Sequence, residues 1–216
     1  MLWRLKNKVK MSDLSKKLFA NILASKGQNL EKKLEPFKKQ IFNNFKGKTI
    51  LEIGAGTGIN LRYYKGAKMV YLLEPNEHMH KHILDRNKSI KIKIKILKES
   101  AEKIFLPNNS IDVVVSSFVL CSVKNVPKVI KEISRVLKSS GEFIFIEHVA
   151  SKKGLSKVIQ IIIRKPWSYI ADGCDCHRDT EETIRKSKLF KKIKLKEIKK
   201  VPTFFIRPWI IGSAKK

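Results

Sequence analysis

Hydrophobic residues recur at helical spacing through the first 46 residues of the chain. In residues 12–25, three large aliphatic side chains lie four positions apart among lysines, which predicts an amphipathic helix. These side chains are Leu14, Leu18 and Ile22. Residues 29–45 repeat the pattern, and Gly47 is expected to end this second helix. The sequence therefore predicts an N-terminal helical extension, residues 1–46.

From residue 47 onward, short apolar runs alternate with helical patterns. This alternation predicts one α/β domain, residues 47–216, with a mainly parallel sheet and helices on both of its faces. The predicted strands are 49–53, 68–73, 90–97, 111–116, 142–149, 192–199 and 204–213. The predicted helices are 58–64, 76–87, 126–138, 155–170 and 179–187. We expect the last two strands to form an antiparallel hairpin that turns at Pro202.

The predicted strands fall into two kinds. Residues 113–115 and 143–146 are continuous apolar runs, which are typical of strands buried on both faces. Residues 90–96 and 192–196 instead alternate strictly between aliphatic residues and lysine. Alternation indicates one buried face, and lysines on an edge strand oppose pairing with another sheet. The third and sixth strands are therefore the predicted edges.

The charge of the chain is strongly positive, with 47 basic residues, 19 acidic residues and a net charge of +28. Such a charge raises nucleic-acid binding as a candidate function. Only eight of the cations are arginines, however, and the lysines are spread along the chain. Because phosphate and base recognition favour arginine, we predict no specific nucleic-acid site.

The cysteine content points to a reducing compartment. Cys121, Cys174 and Cys176 are too few for a disulfide framework, which favours a cytoplasmic location. No apolar run approaches the roughly 20 residues of a membrane span, and no signal peptide is predicted. Three alternatives stay open for helix 12–25: it packs on the domain, it makes peripheral contact with an anionic membrane surface, or it is a mitochondrial presequence, which its lysines in place of arginines disfavour.

Lysine is missing from five segments of this basic chain, and they mark a candidate site. The segments are 51–60, 71–80, 111–120, 141–150 and 171–180. Their acidic residues are candidates for the interior and the working site, among them Glu52, Glu74, Asp112, Glu142, Glu147, Asp172, Asp175 and Asp179. A pocket for a cationic ligand would favour such segments, since like charges repel strongly where the dielectric constant is low.

A glycine-rich turn follows the first predicted strand. Residues 51–58 read Leu-Glu-Ile-Gly-Ala-Gly-Thr-Gly, and glycines there let the backbone turn tightly and approach a ligand closely. Glu74 ends the second strand, where a carboxylate can accept both hydroxyls of a ribose. The neighbouring Glu52 argues against a pyrophosphate and favours a nucleoside that carries an ammonium and a sulfonium.

These motifs resemble those of class I S-adenosylmethionine-dependent methyltransferases. Residues 99–102, 106–112 and 136–142 agree with later motifs of that family. The resemblance implies S-adenosyl-L-methionine as cofactor and a Rossmann-like sheet of seven strands in the order 3-2-1-4-5-7-6. The cofactor contacts that it implies are Glu52, Gly54, Gly56, Gly58, Glu74, Ala101, Glu102 and Ser116.

A narrower resemblance covers roughly residues 48–216. Residues 120–125, 147–149, 172–174 and 207–208 together resemble the methyltransferase-like protein 7 family, whose members are thiol S-methyltransferases. This resemblance implies a small apolar thiol as the methyl acceptor. The alternatives are C- or O-methylation of a quinone-like or lipid substrate, methylation of RNA, and a binding module without catalysis.

The acceptor side is expected where strands four and five end. The candidate catalytic residues are His148 and Asp172. The candidate substrate contacts are Cys121, Trp167 and Cys174. His148 would act as a base or orient a neighbour, or else bond a loop carbonyl, and Asp172 would bind substrate or cap its loop.

Two further patterns bear on the acceptor side. Residues 155–170 are too apolar for an ordinary surface helix and are expected to cover an apolar acceptor pocket or to pack in the core. Cys174, Cys176 and His177 lack the usual spacing of zinc ligands, so no metal is expected.

Overall fold

The computed structural model describes residues 12–198 and 207–216. Within these ranges, seven strands form one mixed sheet: β1 (Thr49–Ile53), β2 (Met69–Leu73), β3 (Ile94–Leu97), β4 (Ile111–Ser117), β5 (Leu137–His148), β6 (Lys192–Ile198) and β7 (Trp209–Lys215). The α-helices are α1 (Asp13–Ile41), α2 (His80–Ile90), α3 (Val126–Val136), α4 (Leu155–Ile170) and α5 (Thr180–Lys186). Short 3-10 turns lie at Leu61–Tyr63 and Glu77–Met79.

The order of the strands is β3-β2-β1-β4-β5-β7-β6, which confirms the predicted Rossmann-like order. The first five strands pair in parallel, and β7 is antiparallel to both β5 and β6. The lysine-alternating strands β3 and β6 are the edges, as predicted. Because parallel strands all end at one rim of the sheet, the loops after β1, β2, β4 and β5 meet there.

Hydrophobic clusters cover both faces of the sheet, which confirms the predicted α/β arrangement. On one face, Ile133 of α3 and Ile184 of α5 belong to the cluster around Leu51. On the other face, Leu34 of α1 and Ile83 of α2 belong to the second cluster. Side chains alternate along β1, so the Glu52 side chain, which follows Leu51, points toward the face that α1 covers.

The two helices predicted before β1 are a single helix, so that prediction was wrong. Helix α1 runs unbroken through Gly27, although glycine disfavours helix interiors. Packing outweighs this preference: a Cβ added at Gly27 would lie 3.9 Å from the side chain of Ile59, so the helix passes close over the loop after β1. Gly47 lies beyond the end of the helix, in the turn before β1.

Other boundaries differ because side chains hold local turns. Strand β3 starts four residues later than predicted, since α2 continues to Ile90 and the Asn87 side chain bonds both backbone groups of Ile92. The predicted helix 58–64 is only a 3-10 turn. Strand β7 begins at Trp209, and the predicted turn residue Pro202 lies outside the described residues. Within the described ranges, no helix has the length and apolar character needed to cross a membrane.

Candidate active site

The loop after β1 turns at three glycines. Gly54, Gly56 and Gly58 have φ angles of 61°, 54° and 74°, in the left-handed region that favours glycine. A Cβ at Gly54 would lie 2.4 Å from the Val119 side chain, so there is no room for a larger residue. The amide of Gly54 donates to the carbonyl oxygen of Leu73 at 2.7 Å, which ties the loop to the end of β2.

Glu74 lies against this glycine loop. Its Oε2 accepts a hydrogen bond from the Gly56 amide at 2.7 Å, and its Oε1 accepts one from the Asn76 amide at 2.9 Å. Burial raises the pKa of Glu74, and these two hydrogen bonds oppose the rise. A carboxylate has about four acceptor positions, so Glu74 can accept further bonds from a ligand. This position fits the ribose-binding role predicted for it.

Glu52 belongs to a buried polar network beneath the loop. Its Oε1 accepts from Asn60 Nδ2 at 2.5 Å, Asn60 Oδ1 accepts from Lys38 Nζ at 2.7 Å, and Lys38 also pairs with Glu31. Glu52, Asn60 and Lys38 are each at most 2% exposed. The network therefore attaches α1 to the site. It also places Lys38 beside the lysine-free segment 51–60.

The ionisation of Glu52 reflects this setting. Burial raises its pKa to about 7, although the hydrogen bond from Asn60 and the charge of Lys38 oppose the rise. Its second oxygen, Oε2, is buried and makes no regular hydrogen bond with a described residue, although the Tyr64 hydroxyl is near enough to the carboxyl group to lower its pKa. A carboxylate has about four acceptor positions, so Glu52 can also accept a hydrogen bond from a ligand, such as one from an ammonium.

The first half of α1 lies across the glycine loop. The Leu23 side chain lies 3.3 Å from where a Cβ at Gly56 would stand. Asn76 Nδ2 donates to the carbonyl oxygen of Lys16 at 3.2 Å. In this structure the lysine-rich turns therefore pack on the domain, which is the first of the three alternatives. Three aliphatic side chains of these turns remain exposed: Leu14, Leu18 and Ile22.

The remaining predicted cofactor contacts also take part in the protein's own structure. Ala101 packs in the hydrophobic core. Glu102 accepts hydrogen bonds from the amides of Lys124 and Asn125, at 2.7 and 3.3 Å. Ser116 is fully buried, and its hydroxyl donates to Glu147. Their cofactor contacts stay predictions.

Glu147 is a positioning residue to which the sequence assigned no individual role. It is fully buried near the end of β5. Its Oε1 accepts from the Ser116 hydroxyl and the Val119 amide, at 2.5 and 3.2 Å, and its Oε2 accepts from the Leu120 amide at 3.1 Å. One carboxylate therefore shapes the loop that follows β4. The signals for it were its place in a lysine-free block and in the segment 147–149 that carries the narrower resemblance.

Three predicted acceptor-side residues meet beside that loop. The Sγ atoms of Cys121 and Cys174 are 3.3 Å apart, and His148 Nδ1 lies 3.7 Å from each. The exposed fractions of Cys121, His148 and Cys174 are 1%, 8% and 4%. The imidazole stacks on the Phe118 ring with centroids 4.4 Å apart. The structure thus joins residues that are 26 and 27 positions apart in the chain.

Asp172 and Trp167 come from the same part of the rim. Asp172 adopts a φ of 47°, and its charge helps to raise the pKa of Glu74, so the loop after α4 approaches the cofactor side. Trp167 is half-buried, and its Nε1 is buried without a hydrogen-bond partner among the described residues. Their substrate roles stay predictions.

Cys176 and His177 turn away from Cys174 and bond to α4 instead. The Cys176 thiol donates to the carbonyl oxygen of Gln160 at 3.8 Å, and His177 Nδ1 lies 3.5 Å from Gln160 Oε1. The neighbouring residues 174, 176 and 177 therefore do not form one ligand set.

Helix α4 is attached through one buried side chain. Gln160 accepts from the Ser151 amide at 2.7 Å and donates to the carbonyl oxygens of Val149 and Arg207, at 3.1 and 3.0 Å. Six large apolar side chains of the helix are exposed: Leu155, Val158, Ile161, Ile162, Tyr169 and Ile170. Three others, Ile159, Ile163 and Trp167, are partly buried. The helix is therefore where the sequence placed it, but the six exposed side chains do not pack in the core.

A surface cavity of about 440 Å³ opens beside the start of α4. Its lining includes the charged residues Lys152, Lys153 and Asp179. Among the described residues that line it is Asp179, one of the acidic candidates, but none of the predicted cofactor, catalytic or substrate residues. This charged cavity therefore does not match the apolar acceptor pocket expected from the sequence.

The chain is similar in sequence to known methyltransferases. The sequence profile of the family described as methyltransferase domain matches residues 51–145. Thiol S-methyltransferase TMT1B of Rattus norvegicus is 31% identical over 218 residues, which cover 94% of this chain and 88% of the rat protein. Thiol S-methyltransferase TMT1A of Homo sapiens is 30% identical over 191 residues, with coverages of 83% and 78%.

A solved structure gives the same picture for the fold. The S-adenosylmethionine dependent methyltransferase from Mesorhizobium loti matches with a TM-score of 0.67 over 85% of this chain and 97% of that chain. The two sequences are 20% identical, so this likeness concerns the fold alone.

Proposed function

Because the chain belongs to the S-adenosylmethionine-dependent methyltransferases, in the family of TMT1A and TMT1B, we propose that it S-methylates small apolar thiols. The observation that carries the proposal is 31% identity over 94% of the chain to a relative named as a thiol S-methyltransferase. The buried sulfur-lined corner at Cys121, His148 and Cys174 supports an acceptor side built for sulfur.

The cofactor side supplies alignment. Bound S-adenosylmethionine supplies a methyl group that its sulfonium already activates. Glu74 would accept the ribose hydroxyls, Glu52 would face the ammonium, and Gly54, Gly56 and Gly58 would let the backbone approach the nucleoside. The chain thus holds the methyl carbon in place and excludes water from it.

The acceptor side has to present a thiolate. The acceptor would lose its S–H proton to solvent, its sulfur would form the new bond to the methyl carbon, and the bond from that carbon to the sulfonium sulfur would break. His148 and Asp172 are the proposed catalytic residues, and Cys121, Trp167 and Cys174 are the proposed substrate contacts. Their common rim after β4, β5 and α4 supports this assignment.

Turnover with labelled S-adenosylmethionine tests the proposal directly. We expect methylation of small alkyl and aryl thiols, and none of hydroxylated quinone precursors or RNA, with enzyme-free mixtures as controls. Turnover of a quinone precursor without turnover of any thiol would overturn the thiol proposal and leave the methyltransferase assignment intact.

We further propose a cytoplasmic location with peripheral contact to a membrane, which two observations support. The three cysteines are free thiols, which supports a cytoplasmic environment. The exposed Leu14, Leu18 and Ile22 lie among lysines, which supports peripheral contact with an anionic membrane. Co-sedimentation with anionic but not neutral vesicles, lost when these three residues become serine, is the expected result. Equal binding to both kinds of vesicle would contradict it.

Cofactor affinity should depend on pH through Glu52. With a pKa of about 7, most Glu52 side chains are protonated at pH 6 and most are ionised at pH 7.5. A ligand ammonium binds the ionised form, so affinity should rise about five- to tenfold across this range. Calorimetric titration at both pH values measures the change. In Glu52→Gln the affinity should be lower and nearly independent of pH, and an unchanged pH dependence would exclude Glu52 as its source.

A further inference from the structure

Cys121, His148 and Cys174 bring three metal-ligand atoms together in the interior. Two sulfurs and one imidazole nitrogen lie within 4.8 Å of one another, and all three residues are buried. Thiolate and imidazole together are the donor set that suits zinc. The group lies at the acceptor side of the rim, where a bound ion would be close to the substrate.

The distances are close to those of a tetrahedral zinc site. Bonds of about 2.3 Å to sulfur and about 2.0 Å to nitrogen place two sulfurs about 3.8 Å apart, and a sulfur and a nitrogen about 3.5 Å apart. The two sulfur-to-nitrogen distances are both 3.7 Å, and the sulfur-to-sulfur distance is 3.3 Å. The sulfurs would need to separate by only about half an ångström.

The surrounding contacts hold the three ligands in place. The Cys121 carbonyl oxygen accepts from the Asp175 amide at 2.9 Å, which joins the loops that carry the two cysteines. The His148 ring is held between Phe118 and Trp209, with centroids 4.4 and 5.7 Å away. Fixed ligands lower the cost of ordering a site when the metal binds.

We propose that this cluster binds one zinc ion through Cys121 Sγ, Cys174 Sγ and His148 Nδ1, with the acceptor sulfur as fourth ligand. The metal site stands on these three residues, and the fourth ligand rests on the proposed function. Three protein ligands with one open position are the arrangement of catalytic zinc sites. No metal was expected because Cys174, Cys176 and His177 lack zinc spacing. In the fold, Cys174 instead lies beside Cys121 and His148.

The charges and protons of this step balance. Zinc binding displaces the two cysteine protons to solvent, so the divalent ion and two thiolates are neutral together. The acceptor thiol then loses its proton to solvent and binds as a thiolate. Its sulfur forms the new bond to the methyl carbon while the bond to the sulfonium sulfur breaks. The thioether product is uncharged and a weaker ligand, so it can leave, and zinc keeps its oxidation state throughout.

Metal content of the full chain gives the first test. Protein prepared with zinc should hold one zinc ion per chain by mass spectrometry of the metal. A cobalt-substituted sample should show the tetrahedral and thiolate-to-cobalt absorption bands. Cys121→Ser and Cys174→Ser should each weaken zinc binding by at least about ten- to a hundredfold. The matched control is Cys176→Ser, a buried cysteine outside the cluster, which should keep the full zinc content.

Thermal unfolding and S-adenosylmethionine binding, measured on every variant, separate loss of zinc from loss of the fold. Wild-type zinc content in both cluster variants would overturn the inference. So would a Cys121–Cys174 disulfide in wild-type protein that takes up no zinc after reduction. Zinc binding without thiol turnover would overturn the fourth-ligand step and the proposed function, but not the metal site. Full thiol turnover by zinc-free protein would overturn the zinc step alone.

Discussion

Replacement of Glu74 by alanine should weaken S-adenosylmethionine binding by about ten- to a hundredfold. A hydrogen bond to a charged group contributes about 1.5–3 kcal/mol, and the ribose hydroxyls would lose this acceptor. The same carboxylate holds the amides of Gly56 and Asn76, so its loss also loosens the glycine loop. Titration calorimetry with the cofactor and with its demethylated product measures the effect.

Two variants serve as controls for this prediction. Glu74→Gln keeps one acceptor oxygen and should lose less affinity than Glu74→Ala. Glu77→Ala removes a nearby carboxylate that pairs with Lys98 on the surface and should leave cofactor affinity unchanged. Unchanged affinity in Glu74→Ala, with the glycine loop intact, would remove Glu74 from the cofactor site.

Replacement of Lys38 by methionine should lower the free energy of unfolding by about 3–5 kcal/mol. Lys38 is 2% exposed and pairs with the buried carboxylate of Glu31 while it donates to Asn60. Its removal leaves a buried charge with one partner fewer and an amide oxygen without its donor. Arg62 also pairs with Glu31, which favours the lower end of that range. Urea unfolding, monitored by circular dichroism, measures the loss.

The neighbouring residue supplies a matched control. Lys39 forms an exposed pair with Glu35, so Lys39→Met should cost at most about 1 kcal/mol. Because Lys38 holds down the pKa of Glu52, Lys38→Met should also move the pH dependence of cofactor binding to higher pH. Equal stability losses in the two variants would contradict the buried network.

The sheet could be predicted because its signals are local. Strict alternation of lysine with aliphatic residues marks a strand with one covered face, and Ile94–Leu97 and Lys192–Ile198 are indeed the edges. The continuity of α1 through Gly27 could not be predicted, because it depends on how the helix packs on the loop that contains Ile59. The end of α2 likewise depends on Asn87 bonding Ile92, a contact that propensity does not contain.

The cofactor side was open to sequence reasoning for a related reason. Positive φ angles favour glycine at positions 54, 56 and 58, so the three glycines by themselves indicate a tight turn at this place. The buried partners Lys38 and Asn60 are brought in by α1 and a loop, and nothing in their neighbours marks them. The sequence placed Cys121 and Cys174 on one acceptor side, but their direct contact could not be predicted, because the loops that follow β4 and α4 meet only after the sheet forms.

The continuity of α1 has a consequence for hydrogen exchange. Beyond Gly27 the helix is anchored by Leu34 and Lys38, so its amides should exchange only when the whole domain unfolds. In the described turns before Gly27 the helix fully buries only Ala20, and the exposed pair between Asp13 and His78 adds little stability, so its amides should exchange through local opening. The two halves of α1 would then open with different free energies. Bound cofactor, which would lie beneath the first turns, should slow exchange only in the amides before Gly27.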